Sequence, residues 1–119
     1  MRRLILEQLS KWKQKEKRKP LLIYGARQVG KSWIMDEFGR TNFKDFVHLN
    51  FERNERICSL FENSLDPNII LRGLEIKTRR KISADTLIIF DEIQACPRAI
   101  RSLKYFCEYF PKYHVIGAG

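Results

Sequence analysis

Residues Gly25-Ala26-Arg27-Gln28-Val29-Gly30-Lys31-Ser32 fit the pattern GxxxxGK(S/T), a glycine loop suited to holding a polyphosphate. The two glycines let the backbone wind tightly enough for successive N–H groups to point inward at an anion. A helix starting directly after the loop adds the positive end of its dipole. Lys31 supplies a mobile ammonium for the β and γ phosphates, and the Ser32 hydroxyl is an oxygen ligand suited to Mg²⁺. The nucleotide-contacting candidates are therefore Gly25, Arg27, Gln28, Val29, Gly30, Lys31, Ser32 and Trp33. A second group lies downstream, where Leu87-Ile88-Ile89-Phe90 runs into Asp91-Glu92. An apolar strand that delivers two acids at its carboxyl end places Asp91 to hold Mg²⁺, directly or through water, opposite Ser32. Glu92 then has a separate task, polarising the water that attacks the γ phosphate as general base. Lys31 and Glu92 are the catalytic candidates, and Ser32 and Asp91 the metal candidates.

The motifs that are absent narrow the class. A GTPase would carry DxxG after the metal-binding strand, whereas the fourth residue here is Gln94, and no NKxD base-reading motif follows. A small-molecule kinase needs no water-activating glutamate beside its metal aspartate, so Glu92 favours hydrolysis over phosphoryl transfer. One strand and two helices separate the two motifs. Asp91 is thus not on the strand next in sequence after the glycine loop, and an additional strand inserted beside the first is the arrangement expected for the ATPase branch with a catalytic glutamate; HVIGAG would be that strand.

These groups need a scaffold, and the hydropathy pattern supplies one. Leu4, Ile5, Leu9 and Trp12 recur at helical spacing, which predicts an amphipathic helix over residues 2 to about 17, ended by Pro20. LLIYG (21–25) reads as a buried strand, and KSWIMDEF (31–38) as a helix closed by Gly39. FVHLNF (46–51) is a second strand, followed by a helix over roughly 54–62 carrying Ile57, Leu60 and Phe61. Asp66-Pro67 forms an N-cap with proline in the first helical position, opening a helix through Ile69, Ile70, Leu74 and Ile76. TLIIFDE (86–92) is the most apolar strand, as a sheet centre covered on both faces requires. Pro97 opens a helix with Ile100, Leu103, Phe106 and Phe110 on one face, and YHVIGAG (113–119) begins a fourth strand. The alternation predicts an α/β domain with a mostly parallel sheet and its ligand site at the carboxyl ends of the strands.

Composition bounds the partners. The chain has 119 residues with 23 Lys+Arg against 14 Asp+Glu, a formal charge of +9. Residues 1–20 carry +6 of this, leaving +3 for the rest, so an anionic surface or nucleic acid is one use for the first segment and a solvated helix face the commoner one. Cys58, Cys96 and Cys107 form no CxxC pair, which argues against a zinc site or a disulfide framework and for a reducing compartment. No chemistry is assigned to His48 or His114. No apolar run reaches signal-peptide or membrane-spanning length, so a cytoplasmic, soluble protein with no membrane partner is expected.

The runs KPLLIYGARQVGKS (19–32), FVHLNFE (46–52), LIIFDEIQACP (87–97) and YHVIGAG (113–119) closely resemble the AAA-superfamily ATPases of bacteria and archaea whose P-loop domain precedes a C-terminal domain of unknown function. GARQVGKS and DEIQ are the most specific pieces. The resemblance implies a three-layer P-loop NTPase core of the AAA type. Gly30, Lys31 and Ser32 would lie at the phosphates of ATP, Asp91 at Mg²⁺ and Glu92 in the role of base. It also implies ATP or ADP as ligand, and a homo-oligomer as one assembly of the full-length protein. Residues 1–20 would be a basic helix packed on a core formed by 21–119, and that packing role is favoured over binding nucleic acid. The family's γ-phosphate sensor would follow Gly119, and its last strand, lid and C-terminal domain would lie beyond it, so the chain is expected to be an N-terminal fragment truncated after about four strands. Arg98 and Arg101 are conceivable arginine fingers, with a solvated helix face the plainer account. Two alternatives to a Mg²⁺-dependent ATPase stay open: a nucleotide-operated switch with little or no turnover, and a nucleic-acid-associated ATPase using the basic helix.

Overall fold

A computed structural model describes residues 2–15, 19–23 and 31–119. Its centre is a sheet of four parallel strands, β1 (Leu21–Ile23), β2 (Asp45–Asn50), β3 (Thr86–Asp91) and β4 (His114–Ala118), in the order β1-β4-β3-β2. The HVIGAG segment therefore lies between β1 and β3, as the spacing of the two motifs predicts. All four strands end at the same edge of the sheet, which brings Ile23, Ala118, Asp91 and Asn50 side by side.

Helices cover both faces: α1 (Arg2–Gln14) and α2 (Lys31–Asn42) on one side, α3 (Pro67–Thr78) and α4 (Pro97–Tyr109) on the other. The result is a mixed α/β fold with the three layers of a P-loop NTPase. Alternation along β3 explains the layering, since Leu87 and Ile89 pack against Leu9, Trp12, Ile34, Met35 and Phe38, while Ile88 and Phe90 pack toward α3 and α4. Every residue of β3 is buried, and each fully buried large aliphatic or aromatic side chain contributes about 1.5–3 kcal/mol. On the α3/α4 side Phe51, Phe61, Phe90 and Phe106 meet edge to face at ring separations of 5.6–6.4 Å.

The local signals account for most element ends. Asp66 caps α3 by accepting from the Asn68 N–H at 2.9 Å, with Pro67 in the first helical position. Ile70 and Leu74 are buried, but Ile69 and Ile76 of the same helix face solvent, 54% and 79% exposed. The first helix ends at Gln14 rather than near residue 17, and Trp12 donates its indole N–H to the Lys19 carbonyl at 2.6 Å. Residues 55–61 wind as a 3₁₀ segment rather than an α-helix.

Gly39 does not close its helix. α2 runs on to Asn42, and Gly39 lies where the helix crosses β2 so closely that a Cβ there would stand 2.7 Å from Cβ of Phe46. The glycine serves close packing, not termination.

Two of the cysteines, expected to form no disulfide framework, do pair. Cys58 and Cys96, 38 residues apart, form a disulfide between the 3₁₀ segment after β2 and the residue that precedes α4. Their separation in sequence hid a proximity created by sheet order. The pairing removes the cysteine argument for a reducing compartment; Cys107 is the free thiol. No helix among the described residues is long and apolar enough to cross a membrane.

Candidate functional site

α2 begins with Lys31 and Ser32 at the carboxyl edge of the sheet. Gly25, Arg27, Gln28, Val29 and Gly30 lie outside the described residues. Trp33 is 48% exposed in the first turn of α2. Lys31 is half-buried, and its Nζ is buried without a hydrogen-bond partner among the described residues.

Ser32 donates its hydroxyl hydrogen to Oδ2 of Asp91 at 2.7 Å, joining the first turn of α2 to the last residue of β3. Asp91 is 1% exposed, and its second oxygen accepts the N–H of Glu92 at 2.9 Å. The structure thus brings Ser32 and Asp91 into contact and holds Lys31 one residue away.

Glu92 leaves the strand abruptly. Its backbone is left-handed, φ 53° and ψ 46°, a conformation that costs a residue with a Cβ about 1–2 kcal/mol. The chain then enters the 3₁₀ segment Ile93–Ala95, and the Glu92 carboxylate accepts from the Gln94 side-chain amide. The two acids of the motif are adjacent in sequence, yet Asp91 is buried in the sheet edge and Glu92 is half-buried beyond it.

Two residues that no sequence motif singled out join the site. His48 of β2 places Nε2 2.7 Å from Oδ2 of Asp91, and its Nδ1 meets Oδ1 of Asp36 on α2. Strand alternation and register account for this. Val47 and Leu49 face α3 and α4, so His48 faces α2, on the same side of the sheet as Asp91, and β2 pairs with β3 in register His48 with Ile89. Asp36 follows Ser32 by four residues, which puts both on one face of α2. The available signal was a lone imidazole interrupting the apolar run FVHLNF.

Charge follows this geometry. Burial pushes the His48 imidazole down, but its hydrogen bonds to Asp91 and Asp36 outweigh that and hold it above the usual 6.5. Burial pushes the Asp91 carboxyl up, and the bonds from His48 and Ser32 reverse this, leaving it below the usual 3.8. At neutral pH Asp91 is a carboxylate.

Among the described residues no three His, Cys, Asp or Glu side chains converge as a metal cage. The oxygens in contact are one hydroxyl and one carboxylate, a donor set suited to a hard cation that brings most of its own ligands. The arginine candidates lie elsewhere. Arg98 donates from Nε to the Phe61 carbonyl at 2.6 Å, tying α4 to the 3₁₀ segment 55–61, and Arg101 is exposed. His114 is buried under Trp12 and Phe43 and reaches the Ala84 carbonyl at 2.9 Å.

Compared with known proteins, the chain matches one family model, described as an AAA domain, over residues 17–119. No curated protein matches it.

Proposed function

Because the chain belongs to the AAA domain family, we propose that it binds ATP together with Mg²⁺ and hydrolyses it at the carboxyl ends of β1, β3 and β4. The observation that carries this reading is the Ser32–Asp91 contact at the start of α2, where Lys31 directly precedes Ser32 and its Nζ is buried without a hydrogen-bond partner among the described residues. An ammonium that directly precedes a hydroxyl–carboxylate pair in the fold is complementary to a metal–polyphosphate.

In this reading the glycine loop, with Gly25, Arg27, Gln28, Val29 and Gly30, wraps the phosphates, and Trp33 lies beside the nucleotide. The ammonium of Lys31 neutralises the β and γ phosphate oxygens. Ser32 Oγ and the Asp91 carboxylate would hold Mg²⁺. When bound, the ion neutralises charge that develops on the phosphates. Glu92 takes the proton of the attacking water, and its left-handed backbone separates its carboxylate from that of Asp91. Leu9 and Trp12 are buried against α2 and the sheet, which supports a packing role for α1 over a nucleic-acid arm.

The test pairs binding with turnover. A fluorescent ATP analogue and a phosphate-release assay are applied to the chain and to its Lys31→Ala and Glu92→Gln variants. Binding lost in the first, and kept without phosphate release in the second, is the expected pattern. Turnover retained by Glu92→Gln removes Glu92 as base. Tight nucleotide binding with negligible release by the unaltered chain would favour a nucleotide-operated switch.

A further inference from the structure

Ser32, Asp91, His48 and Asp36 form a closed ring. Ser32 and Asp36 stand one turn apart on α2, while Asp91 and His48 come from adjacent strands. The links are the Ser32–Asp91 bond, the Asp91–His48 bond, the His48–Asp36 bond and the helix itself. The imidazole, with a nitrogen on each side, is a rigid strut between the two carboxylates. An asparagine or glutamine amide reaches one of them but lacks the rigid span.

We propose that His48 is a positioning residue for the metal-binding carboxylate and that Asp36 positions His48. The inference rests on the reading of this edge as a Mg²⁺–ATP site. The Ser32 leg of the ring joins the two oxygens that would face the cation, so that leg changes when the ion enters. The imidazole leg starts from the same Oδ2 of Asp91 and extends to β2 and α2, so it keeps the Asp91 carboxylate at its angle when the Ser32 oxygen is given over to the metal. Groups that hydrogen-bond a ligating carboxylate commonly change metal affinity 10–100-fold when removed. A ring that merely fastened α2 to the sheet would affect stability and nucleotide binding alike, with or without metal.

The experiment titrates MgCl₂ into the whole chain with a fluorescent ATP analogue, and measures affinity for the same analogue in EDTA. His48→Ala should raise the Mg²⁺ concentration for half-maximal effect about tenfold, while affinity in EDTA changes less than about twofold. His48→Gln, which keeps one donor toward Asp91, should recover part of the loss. Asp36→Asn, separated from Asp91 by the imidazole and expected to fold, should show the same metal-specific defect in smaller degree. An unchanged Mg²⁺ requirement in both His48→Ala and Asp36→Asn overturns the inference, as does an equal loss of affinity in EDTA. If the unaltered chain binds no nucleotide, the Mg²⁺–ATP reading falls and takes this inference with it. Binding by the unaltered chain with metal-indifferent variants sinks the inference alone.

Discussion

Ser32 and Asp91, 59 residues apart in sequence, share a 2.7 Å hydrogen bond that closes α2 onto the end of β3. Both residues project from ends of regular elements, one from the first turn of a helix and the other from the last position of a fully buried strand. Rigid elements on both sides give the contact its definition.

If that contact marks the metal position, Asp91→Asn should abolish metal-stimulated nucleotide binding while leaving metal-free binding in place. The carboxamide keeps the shape and removes the charge a hard cation requires. Calorimetric titration of ADP with and without MgCl₂ separates the two. Equal metal stimulation in the variant would exclude Asp91 as a ligand.

Stability of the nucleotide-free chain should peak between the ordinary carboxylate and imidazole values. His48 is raised when folded, so its contribution is fully present below 6.5 and is lost as pH rises through its folded value. Asp91 is lowered when folded, so its contribution is present above 3.8 and lost as pH falls through its folded value. Urea midpoints across pH 3–9 should show both limbs, and His48→Gln should flatten the alkaline one. An unchanged alkaline limb in that variant would assign the decline to other groups.

Gly39→Ala should destabilise. Helix propensity favours alanine by about 1 kcal/mol, but the new Cβ meets Cβ of Phe46 at 2.7 Å, and such overpacking costs about 1–3 kcal/mol. Gly73→Ala in α3 is the control, since its nearest neighbour is the end of the flexible Leu60 side chain at 3.0 Å. Urea unfolding should rank Gly39→Ala well below Gly73→Ala; the opposite order would refute the close α2–β2 packing.

The Cys58–Cys96 bond predicts a thiol count. Under denaturing, non-reducing conditions the chain should present one reactive thiol, Cys107, and three after reduction. Loss of the bond in Cys58→Ser should lower stability by about 2–4 kcal/mol, because the unfolded chain is no longer constrained. Three thiols before reduction would exclude the bond.

Contiguous features were legible in the sequence. The glycine loop pattern, the apolar run ending in Asp91-Glu92, the Asp66-Pro67 helix start and the alternation of strands and helices each lie within a few neighbouring residues, where hydropathy period and capping chemistry act. The place of β4 between β1 and β3 is the one expected from the arrangement of ATPases with a catalytic glutamate, to which the spacing of the two motifs points. Tertiary structure alone decided that His48 spans Asp36 and Asp91, that Cys58 meets Cys96, and that Gly39 lies within a helix instead of ending it. Each of these depends on strand register or on the spacing between a helix and the sheet. Those quantities are set by packing among residues tens of positions apart, and no local pattern encodes them.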